Sequence, residues 1–165
     1  MTTPERERPA SGSDHPAWNV NAAALNRVGI ATLEIDQWGR RDLPGEASSR
    51  PQSVDAKLSD FAGAYRLLAR RPEIDSSRIG IMDSSMGGGE TMLMMTYQQS
   101  DALLGDSTHL RAAAALYPIC WRFNHVSGAD FGKLVDAPIR IFVGTSDDYD
   151  SGALTRNIFR IRQSD

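Results

Sequence analysis

Residues 78–92 have the sequence R-I-G-I-M-D-S-S-M-G-G-G-E-T-M, and the character of the chain changes twice within them. The run 78–83 has the length and the branched side chains of a buried strand. Small residues around Ser85 then predict a tight turn. Three glycines lead into a methionine-rich segment that predicts a helix from about Met86 to Gln99. The pattern therefore predicts a strand, a turn and a helix in direct succession.

The segments on either side continue this alternation of strands and helices. Helices are predicted for 17–27 and for 54–71, where apolar residues recur every three or four positions after the capping residue Ser53. Strands are predicted for 30–35, 111–117 and 139–143, and one last helix for 151–163. We therefore expect an α/β fold in three layers, with a mostly parallel sheet and helices on both faces. The polar residues 1–16 are expected to form a flexible lead, and 17–165 one domain.

Composition excludes several classes of partner. The chain has 165 residues, 41% of them hydrophobic and 24% charged, and a formal net charge of −3. No basic field attracts nucleic acid or an anionic membrane surface, so we expect neither as a partner. No stretch approaches the roughly 18 apolar residues of a membrane span, and the polar start does not resemble a secretory signal. The cytoplasm is therefore the expected compartment.

The single cysteine, Cys120, has no partner for an internal disulfide, which agrees with a reducing compartment. It follows the apolar run 116–119, and no glycines surround it as they surround Ser85. We therefore interpret Cys120 as a buried structural thiol and not as a nucleophile.

The turn at Ser85 resembles the nucleophile elbow of serine hydrolases. In an elbow the serine occupies a strained turn between strand and helix, so its hydroxyl projects above the sheet. The next backbone N–H, here that of Met86, faces the developing oxyanion. The usual pattern is G-x-S-x-G, whereas residues 83–87 are D-S-S-M-G. Asp83 replaces the first glycine, which requires either a wider turn or a carboxylate beside the nucleophile.

The glycine run has a second interpretation, a helix start that packs closely or binds an anion. The chain contains neither G-x-x-x-x-G-K-[ST] nor G-x-G-x-x-G, so no nucleotide-binding motif supports this alternative. The methionines that follow the glycines are interpreted as core packing. We therefore expect neither a cofactor nor a metal.

A second transition from strand to loop occurs at 137–149, A-P-I-R-I-F-V-G-T-S-D-D-Y. Together with the elbow, the segment G-T-S-D-D-Y resembles the dienelactone hydrolase family, in which the acid falls three residues after the glycine. Residues 29–39 and 75–80 resemble the same family, so the resemblance spans about 17–149. It implies an α/β-hydrolase fold and cleavage of small esters or lactones by a Ser or Cys, His and Asp triad. The implied acid is Asp147, with Asp148 as a cap of the next helix; for both, the alternative is a solvated turn.

The general base of the triad is a histidine, and this sequence has no histidine at the position that the resemblance implies. The family's histidine follows the acid, but residues 148–165 contain none. The three histidines are His15 in the polar lead, His109 before the third predicted strand, and His125 after Cys120. Only His125 follows the carboxyl end of a predicted strand. We expect it to be an exposed loop residue, and the alternative is that it serves as the general base.

The resemblance also implies one more strand, which precedes residue 17 in the chain. In the sheet of the superfamily this strand lies between the strand 30–35 and the strand 78–83. The polar residues 1–16 do not suit it. Buried backbone groups left unpaired cost about 1–3 kcal/mol each. We therefore expect a rearranged four-stranded sheet, a homo-oligomer formed through unpaired strand edges, or a fragment truncated at both ends.

Two functions follow from these patterns. The first is a serine hydrolase of small-molecule esters or lactones, with Ser85 as nucleophile, the N–H of Met86 in the oxyanion hole and Asp147 as the acid. Its activity is expected to be impaired without the triad histidine. The alternative is a non-catalytic α/β binding or assembly module that retains the architecture of the elbow.

Overall fold

The computed structural model describes residues 16–37, 41, 54–119 and 131–144. Three short strands form one parallel sheet: β1 (Ile81–Ser84), β2 (Ala113–Leu116) and β3 (Ile139–Phe142). Their order is β1-β2-β3, so β2 is central. The predicted strands 78–83, 111–117 and 139–143 are confirmed with ends shifted by up to three residues. The described part of the chain is thus a partial α/β fold built on a small parallel sheet.

The register of the sheet aligns the carboxyl ends of the three strands. Ser84 is paired with Leu116, and Leu116 with Phe142. The residues at these ends and directly after them are called the carboxyl edge below. The segments that lead into the strands, 75–80, 105–112 and 131–138, are called the amino edge. In parallel sheets, ligands gather at the carboxyl edge.

The described residues form four α-helices: α1 (Pro16–Arg27), α2 (Val54–Ala69), α3 (Ser85–Met94) and α4 (Tyr97–Leu104). The predicted helices 17–27 and 54–71 are confirmed. Helix α3 packs on β1 and β2 and leads back from the carboxyl edge. The small side chains of β2, Ala113 and Ala115, are buried, which lets the helix approach the sheet closely.

The prediction of one helix from Met86 to Gln99 is wrong, because α3 and α4 are separate helices. Thr96 lies between them and forms an antiparallel bridge with Leu134. Its hydroxyl donates to the carbonyl of Leu93 at 2.8 Å and accepts from the N–H of Gln99 at 3.2 Å. The bridge and this N-cap use backbone groups that a continuous helix would need. Tertiary contacts therefore override the helical composition of the segment.

The predicted strand 30–35 is also wrong. These residues are irregular, and most of their side chains are exposed, including Ile30 and Leu33. A strand exists only where a neighbour pairs with its backbone. None of the three described strands pairs with this segment. Its apolar side chains matched a strand pattern, but the pairing partner that would make it a strand is not part of the described sheet.

The chain divides into two compact units, Met1–Ala64 and Tyr65–Asp165. In the first unit, the guanidinium of Arg41 forms two hydrogen bonds of 2.8 Å to the carboxylate of Asp60. This pairing raises the pKa of Arg41. The second unit contains the sheet, α3 and α4. None of the helices in the described ranges combines the length and the apolarity that crossing a bilayer requires.

Candidate active site

Ser85 lies where β1 ends and α3 begins, and its backbone is left-handed. Its φ is +54°, whereas Ser84 before it is extended, with φ −127° and ψ 158°. A left-handed conformation costs a residue with a side chain roughly 1–2 kcal/mol. The chain therefore reverses at Ser85 within one residue, which is the local geometry that the elbow motif predicts. Ser85 is half-buried.

Gly87 is required because the carboxylate of Asp83 occupies the space beside it. A Cβ built on Gly87 would overlap this carboxylate, with Oδ1 only 2.6 Å away. The same Oδ1 accepts a hydrogen bond of 2.7 Å from the backbone N–H of Ser84. Of the two arrangements expected for Asp83, the structure has the carboxylate folded into the turn. The acid thus fills the room that the glycine of the usual pattern leaves open.

Gly88 is required by the segment that follows β2. A Cβ at this position would lie 3.1 Å from the carbonyl oxygen of Leu116 and 3.1 Å from the Cα of Pro118. The N–H of Ile119 donates to the carbonyl of Ser85 at 3.2 Å. Two consecutive glycines therefore allow α3 to approach both the end of its own strand and the end of β2.

Met86, the predicted oxyanion donor, is the second residue of α3. The first four N–H groups of a helix have no acceptor within the helix, so they are available to a ligand. The positive end of the helix dipole favours negative charge at the same place. These general properties make the start of α3 a place that favours an anion.

Tyr117 at the carboxyl edge was missed by the sequence analysis. It directly follows β2, its φ is +36°, and 52% of its surface is exposed. Its N–H donates to the carbonyl of Phe142 at 2.6 Å. The sequence carries no signal for this conformation, because a residue before proline favours the extended region, whereas Tyr117 is left-handed.

Several predicted residues lie outside the described residues: Asp147, Asp148, His125, Cys120 and His15. Asp147 follows β3 by five positions. β3 neighbours β2 and not β1 in the sheet. The placement of Asp147 relative to Ser85 stays a prediction, as does any role of His125.

His109 is described, and it lies at the amino edge of the sheet. Its Nε2 is 2.9 Å from Oδ1 of Asp101 on α4. Its ring meets that of Tyr97 edge to face, with centroids 5.0 Å apart, and the Nζ of Lys133 lies 5.3 Å from the Tyr97 centroid. His109 precedes β2 and Ser85 follows β1, so the length of a strand separates them. This rules out His109 as the base for Ser85.

A cavity of about 230 Å³ opens beside His109, lined by Tyr97 and the segments 109–111 and 135–137. It belongs to the amino edge and not to the elbow. Within the ranges that the structure describes, no three His, Cys, Asp or Glu side chains are grouped to hold a metal ion.

Comparisons with protein-family models, with curated proteins and with solved structures find no match to this chain.

Proposed function

We propose that the chain is a serine hydrolase in which Ser85 attacks the carbonyl carbon of a carboxylic ester or lactone of a small molecule. The observation that carries the proposal is the left-handed backbone of Ser85 between β1 and α3. Strained backbone of this kind persists where surrounding structure enforces it, and it clusters at active sites. Other atoms lie close to Gly87 and Gly88, so the backbone of the turn has little room to relax.

The proposed chemistry is acyl transfer through a covalent intermediate. The oxygen of Ser85 forms a bond to the carbonyl carbon while its proton passes to a base, and the carbonyl becomes an oxyanion near the N–H of Met86. The oxyanion then re-forms the carbonyl, the carbon–oxygen bond to the alcohol breaks, and the base returns the proton to the alcohol oxygen. Water next attacks the acyl-enzyme, its proton passes through the base to the oxygen of Ser85, and the carboxylic acid is released. In the α/β-hydrolase fold that we propose, Asp147 orients the base.

The structure does not identify the base, because His125 and residues 145–165 lie outside the described residues. Loss of the base from such a triad lowers turnover on the order of a millionfold. Covalent labelling requires the same activation of Ser85, but it needs only one reaction per protein molecule, so it stays detectable where turnover is too slow to follow.

The decisive experiment treats the folded protein with a fluorophosphonate probe and identifies the labelled residue by mass spectrometry. We expect labelling at Ser85 and none in Ser85→Ala. Two serines serve as matched controls: Ser84→Ala alters the neighbouring residue, and Ser107→Ala alters another left-handed serine, with φ +66°. Both variants should label as the wild type does. A folded protein without a label at Ser85 would contradict the proposal.

The base is tested separately through His125. If His125 accepts the proton, His125→Gln lowers the turnover of p-nitrophenyl acetate, whereas His109→Gln at the amino edge leaves it unchanged. Equal rates in the wild type and His125→Gln exclude His125 as the base, without touching the role of Ser85.

The second candidate function is a non-catalytic binding or assembly module. It is favoured by the sheet order, since β1 and β3 each have one neighbouring strand in the described sheet. Unpaired edges pair readily with a second copy. Sedimentation velocity distinguishes the candidates together with the probe: a dimer in which Ser85 stays unlabelled supports the module, and a labelled monomer supports the hydrolase.

A further inference from the structure

Two left-handed residues that are not glycine lie on neighbouring strand ends of the carboxyl edge. Ser85 follows β1, and Tyr117 follows β2, with φ values of +54° and +36°. For a bulky residue such as tyrosine a positive φ is a genuine outlier. The sequence could have avoided this strain with a glycine or an asparagine, so the ring of Tyr117 needs an explanation other than turn geometry.

The backbone around Tyr117 is held on both sides, which explains how the strain persists. Its own N–H donates a hydrogen bond of 2.6 Å to the carbonyl of Phe142. Two residues later, the N–H of Ile119 donates one of 3.2 Å to the carbonyl of Ser85. The loop after β2 is thus tied to β3 and to the elbow at once. Strain that is enforced from two directions is typical of functional sites.

The side chains at these strand ends are apolar and exposed. Tyr117 is 52% exposed, Phe142 54% and Val143 42%. Exposed apolar groups that occur singly need no explanation, whereas several at neighbouring positions mark a binding site. Tyr117 and Phe142 are neighbours, because the N–H of Tyr117 donates to the carbonyl of Phe142. The group of exposed residues begins after β2, the strand next to that of Ser85. Neighbouring strands are about 4.8 Å apart, so the group extends roughly 10 Å from the serine.

We propose that Tyr117, Phe142 and Val143 form an apolar wall that binds the acyl group of the ester, with Tyr117 as the residue that determines chain-length specificity. The inference rests on the proposed function of Ser85 and names its substrate class: esters whose acyl group is a medium aliphatic chain, such as octanoyl, and not acetyl. An acyl chain bonded to the serine oxygen lies within reach of this wall, whereas acetyl is too short to cover it.

The test uses two fluorophosphonates that differ in the group on phosphorus, which takes the place of the acyl chain: methyl and octyl. In the wild-type protein we expect Ser85 to react at least tenfold faster with the octyl probe, since burying roughly 50 Å² of apolar surface lowers the barrier by about that factor. Tyr117→Asn, which tolerates a left-handed backbone, should lose most of the octyl preference and keep the methyl rate. Tyr117→Phe should retain both.

Leu67→Ala is the matched control, because it removes a side chain of equal exposure, 55%, that belongs to no strand end. Should Tyr117→Asn fail to fold, Phe142→Ser tests the same wall from β3. Labelling of Ser85 at equal rates by the two probes overturns the inference and leaves the hydrolase proposal standing. Absence of labelling by either probe overturns both.

Discussion

The two edges of the small sheet differ in how they use their polar and aromatic residues. At the carboxyl edge, Ser85 and Tyr117 have strained backbones and the aromatic side chains are exposed. At the amino edge, the side chain of His109 forms a hydrogen bond with Asp101 and packs against the ring of Tyr97. One edge keeps its side chains available for a ligand, and the other uses them to hold the fold together.

The comparison shows that position in the sheet is a better guide to this site than side-chain chemistry or backbone strain alone, because the amino edge also holds a left-handed serine, Ser107. A histidine beside an aspartate is the more familiar catalytic signature, yet β2 separates His109 from the carboxyl edge. Four residues of strand span roughly 13 Å, and a general base must lie about 3 Å from the proton it takes. The pair is therefore structural, and Ser85, the left-handed serine at the carboxyl edge, is the better candidate.

The largest expected effect is on the elbow itself, through Gly87→Ala. The new methyl group would overlap the carboxylate of Asp83 and force it away from the N–H of Ser84. We expect a loss of about 1–3 kcal/mol in the free energy of unfolding, as for other overpacked sites, and slower labelling of Ser85. Urea denaturation and the labelling rate measure the two effects.

The control for this substitution is Gly63→Ala on α2, where nothing lies within 4 Å of the new methyl group. A helical glycine in open space should gain about 0.5–1 kcal/mol on replacement by alanine. The double variant Asp83→Gly/Gly87→Ala should recover most of the loss, because Asp83→Gly restores the usual glycine and removes the obstruction. Additive effects of the two substitutions would contradict the geometry described for the elbow.

Much of the fold was predictable because its elements carry local signals. The apolar stripe of α2 and the branched runs of β1 and β3 are visible in the sequence alone. The segment 30–35 carries a similar signal, but a strand depends on a partner that no local pattern reveals. The break at Thr96 was hidden for the same reason, since the bridge to Leu134 is a tertiary contact.

The candidate site was predictable only in part. Ser85 and the glycines after it form a contiguous motif, so the sequence located the elbow. Tyr117 was missed because an exposed tyrosine at the end of a strand is unremarkable until its φ is known. The direction of the Asp83 carboxylate was likewise undetermined, because two arrangements satisfied the same five residues.

The amino end of α4 offers the next largest effect, through Thr96→Val. This substitution keeps the shape of the buried side chain but removes the hydroxyl that bonds Leu93 and Gln99. Loss of such a cap costs about 1 kcal/mol. Thr91→Val is the matched control, since the buried Thr91 hydroxyl has no hydrogen-bond partner among the described residues. Denaturation should show a loss for Thr96→Val and none for Thr91→Val.

A smaller effect is expected from His109→Asn, which breaks the contact with Asp101. The pair is partly exposed to solvent, so its loss should cost less than about 1 kcal/mol. Labelling of Ser85 should proceed at the wild-type rate, because the two residues lie at opposite edges. A labelling rate lowered tenfold in a folded His109→Asn protein would break the distinction between the two edges.

The smallest effect concerns Asp75, which caps the short 3₁₀ turn Ser76–Arg78 that leads into β1 at the amino edge. The hydroxyl of Ser77 donates to its carboxylate at 2.6 Å and the N–H of Ser77 at 2.9 Å, and these bonds hold the pKa of Asp75 below its ordinary value. A carboxyl group whose pKa is lower in the folded state stabilises the fold above its unfolded pKa. This contribution is lost as the pH falls through the folded pKa.

The measurement is a titration of the Asp75 carboxyl carbon by NMR between neutral and acidic pH. We expect a midpoint below that of an unfolded aspartate in the wild type. In Ser77→Ala the midpoint should return most of the way toward the ordinary value, because the hydroxyl is the larger of the two causes. The labelling rate of Ser85 should not follow this titration, since the turn enters β1 at the edge opposite the elbow. A rate that did follow it would mean that the amino edge controls the site, and the separation of the two edges would then be wrong.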